Sequence, residues 1–178
     1  MPRLFFALWP NDEVRTRLVA QRDLAVPDYR GRPMRPDTLH MTLQFLGETP
    51  ELRVPLALGC GDIIRAPAFT LNIDARSHFV DAKVAWLGCA EPPDALRELW
   101  NLLDAELRRA KFAHSAGDGD GDGDYQPHIT VARDCLLYPS PKGLPAIEWR
   151  VEDFVLVDSI RTPGGPVYRV LRHWQLAG

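Results

Sequence analysis

The stretch LHMTLQFLG, Leu39 to Gly47, alternates apolar and polar residues. Leu39, Met41, Leu43 and Phe45 fall on one side of that alternation, and His40, Thr42 and Gln44 on the other. Period two is the signature of a β-strand with one buried and one polar face. A second stretch, HITVAR from His128 to Arg133, is also strand-like and puts His128, Thr130 and Ala132 on one face. A histidine and a threonine two residues apart thus recur, once in each half of the chain.

The rest of the chain fills in a mixed architecture. RLFFALW (3–9) is a short apolar run that predicts a buried strand, ended by Pro10. Asn11 can cap a helix carrying Asp12 and Glu13 in its first turn and facing the core through Val14 and Leu18. The segment 26–37, rich in Pro, Gly and Arg, predicts a loop. Residues 51–65 can be helical, with Pro55 tolerated in the first turn. AFTLNID (68–74) and KVAWLGC (83–89) predict strands. The stretch 92–110 is the strongest helix, with an apolar stripe of Leu96, Leu99, Trp100, Leu103 and Leu107. VEDFVLVDSI (151–160) and PVYRVLRHWQL (166–176) predict final strands joined by a TPGGP turn.

The bulk numbers set bounds on function. The chain has 178 residues, 46% apolar and 25% charged, which suits one compact domain. Its formal charge of −3 argues against coating long duplex nucleic acid, though not against a cleft that holds one phosphate. Cys60, Cys89 and Cys135 are far apart and lack C-x-x-C spacing, as reduced cytosolic thiols do. No stretch has the length and apolar character of a membrane span, and the first residues do not read as a signal peptide. The expectation is a soluble cytoplasmic protein.

Two facing imidazoles with hydroxyls behind them can carry out in-line displacement at phosphorus. One ring activates the nucleophile and the other protonates the leaving oxygen. The hydroxyls donate to phosphate oxygens. That scheme uses no metal or other cofactor. Each histidine alone can equally be a hydrogen-bonded, half-buried residue; it is the repetition that favours a site. Zinc binding competes weakly, because neither H-x-H nor H-E-x-x-H occurs. His78, His114 and His173 lack the threonine and are read as structural or surface residues.

The tract GDGDGDGD (117–124) looks at first like a calcium loop. Starting at Asp118, Asp falls at positions one, three and five and Gly at six, but position twelve is Ile129, where a bidentate glutamate is needed. Starting at Asp120, Tyr125 replaces the glycine. The tract is therefore read as an acidic surface loop.

With RLFFALWP, LHMTLQFLGE, KVAWLG, YQPHITVAR and FVLVDSI…GGPVYRVLRHWQL in this order, the chain resembles the RNA 2',3'-cyclic phosphodiesterases of the two-histidine phosphoesterase superfamily, also called 2'-5' RNA ligase-like proteins. The resemblance implies a bilobal α+β fold with two antiparallel β-sheets lining a central cleft, helices outside, and a pseudo-twofold repeat over residues 1–178. It implies hydrolysis of RNA ends bearing a 2',3'-cyclic phosphate to 2'-phosphomonoesters, on substrates that include tRNA fragments or cyclic nucleotides, with no membrane and no obligate protein partner. By the same resemblance His40 is the proton donor, His128 the proton acceptor, and Thr42 and Thr130 bind phosphate. Arg133 closes the second block, but strict alternation puts it opposite His128, so it reaches the phosphate only if the strand bulges. Tyr125 and Phe6 are expected near the cleft as base-stacking aromatics, with core packing the competing role for Phe6. Reversible 2'-5' RNA joining and non-catalytic RNA-end binding are the alternative functions.

Overall fold

The computed structural model describes residues 1–113 and 125–178. His114 and the Gly-Asp tract lie outside the described residues.

Among the described residues the chain forms nine strands and three α-helices, with all strand pairs antiparallel. The strands are β1 (Arg3–Leu8), β2 (Arg32–Pro33), β3 (Met41–Glu48), β4 (Phe69–Phe79), β5 (Val84–Gly88), β6 (Ile129–Arg133), β7 (Lys142–Val151), β8 (Asp153–Thr162) and β9 (Gly165–Gln175). The hydrogen-bonded order is β7-β4-β5-β6-β3-β1-β8-β9, with β2 pairing the end of β6 at Ala132 and Arg133. This is four strands plus four strands. The two quartets meet at one register pair, Met41↔Ile129. Each of these residues directly follows a histidine of a His-x-Thr block, so the repeat in the sequence lies at the seam of the molecule.

The helices lie on the far side of the sheet from the cleft. Helix α1 (Asp12–Tyr29) follows β1 of one quartet but packs on β6 and β7 of the other. Helix α3 (Asp94–Arg109) follows β5 but packs on β3, across the seam. Helix α2 (Val54–Ile63) packs on α3 and β9. The two crossing helices give both quartets one continuous core, which includes Leu8, Leu18, Met41, Leu103, Ile129 and Phe154. Burying aliphatic and aromatic side chains of this kind is worth about 1.5–3 kcal/mol each before entropy is charged against it. A smaller cluster, Phe5, Ala7, Val155 and Val157 with Phe45 and Tyr168 against it, covers the opposite face of the β3-β1-β8-β9 quartet.

Most of the expected elements are present, and the start of α1 is capped as anticipated: Asn11 Oδ1 accepts from the Val14 amide at 2.9 Å. Two expectations change. Helix α1 runs on through Pro27 to Tyr29 and ends on Arg30 in the left-handed region (φ 48°), so the predicted loop begins later than its composition suggests. The strand β7, residues 142–151, is an addition to the expected elements; its half-exposed, Pro-containing sequence hides the alternation.

Gly88 shows how the fold positions the site. A Cβ there would lie 2.9 Å from the Trp86 ring and 3.0 Å from the Pro127 carbonyl oxygen. A side chain at 88 would displace the segment that leads into His128.

Candidate active site

His40 precedes β3 and His128 precedes β6, so both rings stand at the seam. They line one cavity of about 310 Å³, together with Thr42 and Thr130. Arg133, Phe45, Phe5 and Tyr168 contribute further wall, and Arg3 and Ser159 form one rim.

The two histidines are held in the same way. His40 Nδ1 lies 2.7 Å from the Thr38 carbonyl oxygen, and His128 Nδ1 lies 2.8 Å from the Gln126 carbonyl oxygen, each two residues upstream. A carbonyl only accepts, so each Nδ1 is the donor and carries a proton. His40 Nε2 is 3.1 Å from Thr42 Oγ1. The Thr38 carbonyl is itself braced, because its turn (Pro36–Thr38) and Leu39 accept bonds from the Arg15 guanidinium at 2.6 and 3.1 Å. Desolvation by burial lowers the Arg15 pKa, with Asp12 and Asp37 opposing the shift.

The ring environments differ. His40 stacks on Trp9 (centroids 5.6 Å, 18°), leans on Phe5 (4.8 Å) and meets the edge of Tyr168 (5.2 Å). His128 is only 6% exposed and meets Phe79 edge-on at 4.9 Å, with Trp86 at 6.3 Å.

Strict alternation fails in both strands at the same place. In β3, Ala7 pairs with Thr42 and Phe6 with Gln44, so Leu43 is an extra residue. In β6, Trp86 pairs with Thr130 and Ala85 with Ala132, so Val131 is extra. A bulge inserts one residue and flips the phase of the residues after it. The fifth residue after each histidine therefore returns to the cleft: Phe45 in one block and Arg133 in the other, both lining the cavity. The fourth turns to the core: Gln44 and Ala132, both fully buried. The condition set for Arg133 is thus met. Phe45 and Gln44 are found on the faces opposite to those expected from unbroken alternation, and Phe45 is a wall residue that sequence reasoning missed.

Two expected substrate contacts are corrected. Phe6 is fully buried in the core between Phe154 and Trp174 (centroids 6.2 and 5.7 Å). Its neighbour Phe5 takes the cleft face, because RLFF gives no hint of which aromatic points where. Tyr125 is also buried, at 5% exposure, stacked on Trp100 at 5.3 Å and 15°. Its hydroxyl donates to the Thr42 carbonyl at 3.0 Å, across the seam. Burial raises its pKa, aided by Cys89, so the donor stays protonated through the working range.

Among the described residues, no group of three or more His, Cys, Asp or Glu side chains is placed to hold a metal ion. No helix among them is long and apolar enough to cross a membrane.

This geometry sits in a chain whose residues 10–163 match the sequence profile of the 2'-5' RNA ligase superfamily. The chain belongs to that superfamily. It is 34% identical to a protein named RNA 2',3'-cyclic phosphodiesterase from Escherichia coli (strain K12), over 98% of this chain and 96% of that one. It is 35% identical to a protein of the same name from Thermus thermophilus, over 99% and 91%. Among superfamily structures, the crystal structure of E. coli LigT complexed with 3'-AMP aligns with TM-score 0.85 at 31% identity, covering 100% of both chains.

Proposed function

We propose that this chain is an RNA 2',3'-cyclic phosphodiesterase that opens the cyclic phosphate by general acid–base catalysis. The observation that carries the reading is the pair of imidazoles on one cavity, each with Nδ1 tied to the carbonyl two residues upstream and each with a threonine two residues on. Full-length relatives bearing that activity in their names support it.

The cyclic phosphate sits between the rings. His128 Nε2 takes a proton from water, whose oxygen attacks phosphorus. The bond from phosphorus to the 3' oxygen breaks, and His40 Nε2–H protonates that oxygen. The product is a 2'-phosphomonoester, and proton exchange with solvent resets both rings. Thr42, Thr130 and Arg133 donate to the phosphate oxygens as charge builds on them. The assignment of His40 as acid and His128 as base follows the family resemblance, and the two rings stand in different surroundings: His40 among the faces of Trp9 and Phe5, His128 behind the edge of Phe79. Neither catalytic step calls on a metal. RNA ends in the cytoplasm, tRNA fragments among them, are the fitting substrates; no feature of the cavity favours the reverse, 2'-5' joining reaction.

The test is turnover of an oligoribonucleotide ending in a 2',3'-cyclic phosphate with EDTA present, the product isomer being read by phosphorus NMR. The expected product is the 2'-phosphate at an undiminished rate. A 3'-phosphate product would reverse the assignment of the leaving oxygen. Absence of turnover, or its loss to EDTA, would overturn the metal-independent scheme.

A further inference from the structure

A second groove, of about 800 Å³, adjoins the catalytic cavity. The two share a wall made by Arg3 and Ser159. Arg3 stands at this junction by design of β1. It alternates with Phe5 onto the cleft face, and its guanidinium rests over the Phe45 ring at 4.8 Å. Its backbone amide donates to Asp158 Oδ1 at 3.2 Å, which fixes the strand end.

The charges of the groove are unequal in availability. Arg169 is engaged by the buried Asp158 at 3.0 Å, and Arg161 lies 3.7 Å from Glu48. Among the described residues, Arg3 is the groove arginine whose guanidinium no carboxylate engages. A guanidinium held on an aromatic face, without an acid partner, between a phosphate cavity and an open groove is suited to a second phosphate.

We propose that the RNA strand on the 5' side of the cyclic phosphate leaves the catalytic cavity past Arg3, and that Arg3 binds the first internucleotide phosphodiester. The inference rests on the cyclic-phosphate reading above and deepens it. It makes the preferred substrate an oligoribonucleotide end rather than a free nucleoside cyclic phosphate. A nucleoside 2',3'-cyclic phosphate has no group to offer Arg3; a dinucleotide with the same end has one.

The test compares kcat/KM for a nucleoside 2',3'-cyclic phosphate and for a dinucleotide ending in the same cyclic phosphate, in the wild type, Arg3→Met and Arg3→Lys. The wild type is expected to prefer the dinucleotide. Arg3→Met keeps an apolar stem on Phe45 and is expected to reduce that preference about 10-fold, the worth of one charge-assisted hydrogen bond. Arg3→Lys is expected to restore most of it. The salt dependence of dinucleotide KM is expected to lose about 0.7 of a log–log slope in Arg3→Met, one single-strand phosphate contact. Equal losses on the two substrates would overturn the proposal, since Arg3 would then act on the terminal nucleotide or on folding. A wild type indifferent to the added nucleotide would overturn it as well. Wild-type failure on both substrates would instead bring down the cyclic-phosphate reading on which it rests.

Discussion

The two His-x-Thr blocks share a backbone, a histidine and a threonine, and differ in the side chains that follow and surround them. Both histidines tie Nδ1 to the carbonyl two residues upstream, and both strands bulge at the residue after the threonine. On this common frame the first block presents an aromatic, Phe45, where the second presents a cation, Arg133. The first buries an amide, Gln44, where the second buries a methyl, Ala132. One imidazole lies in a box of aromatic faces and the other is sunk behind ring edges. The lesson is that the repeat fixes where the two imidazoles stand, and the side chains around them are what distinguish the two blocks.

The sharpest way to break the symmetry is to remove each ring in turn. His40→Ala and His128→Ala are each expected to cost about 10²–10⁴-fold in kcat, measured by turnover of a cyclic-phosphate end. The wild-type rate is expected to be bell-shaped in pH, with apparent values belonging to the pair. Activity falls on the acid side as the base His128 takes up a proton, and on the alkaline side as the acid His40 loses one. The residual rate of His128→Ala should lose the acid limb, and that of His40→Ala the alkaline limb. If each variant keeps the limb assigned to the missing ring, the roles are reversed.

The next contrast sets Arg133 against Phe45, the two residues at the same position after the bulge. Arg133→Gln removes a charged donor from the phosphate and is expected to lower kcat/KM by about 10–100-fold, equivalent to about 1.5–3 kcal/mol. Phe45→Leu keeps an apolar wall and is expected to cost about 10-fold or less, mostly in KM. Comparable losses in kcat from both would mean that the blocks divide the phosphate equally.

Much of this was legible in the chain. The repeat of His and Thr at period two put both imidazoles and both hydroxyls on polar strand faces, because alternation over three residues survives any later irregularity; the two-part sheet came from the family resemblance. The positions past the threonine were not legible. The bulges at Leu43 and Val131 are single-residue insertions in apolar runs, and an apolar residue that is buried in either phase gives no signal of a phase change. The same ambiguity left Phe6 with two roles, cleft or core, and the structure gives it the core and its neighbour Phe5 the cleft. The helical course through Pro27 was hidden by propensity, which tertiary packing of α1 on β6 and β7 overrides.

Gln44 offers a contrast in stability. It stands where the second block has Ala132, is fully buried, and neither of its amide atoms has a hydrogen-bond partner among the described residues. An unsatisfied buried amide costs about 1–3 kcal/mol. Gln44→Leu, of similar size, is expected to stabilise the protein by about 1 kcal/mol, a rise of about 2–4 °C in Tm by calorimetry. A fall in Tm would mean that the amide is satisfied in solution.

The smallest expected effect concerns the contacts that hold the blocks in register. Beyond the single strand pair Met41↔Ile129, the Tyr125 hydroxyl links the two blocks directly: it stands three residues before His128 and donates to the carbonyl of Thr42. Stacking on Trp100 fixes the ring whether or not the hydroxyl is present. Tyr125→Phe therefore removes one neutral hydrogen bond, about 0.5–1.5 kcal/mol, or roughly 2- to 13-fold if all of it is expressed in the transition state. If the bond serves to place the Thr42 hydroxyl beside His40, its loss should appear in kcat rather than KM. It should also vanish in a Thr42→Val background, where there is no hydroxyl left to place. Additive losses across that double-mutant cycle would make the bond a prop for folding alone. Non-additive losses would make it the link by which one half of the site reads the position of the other.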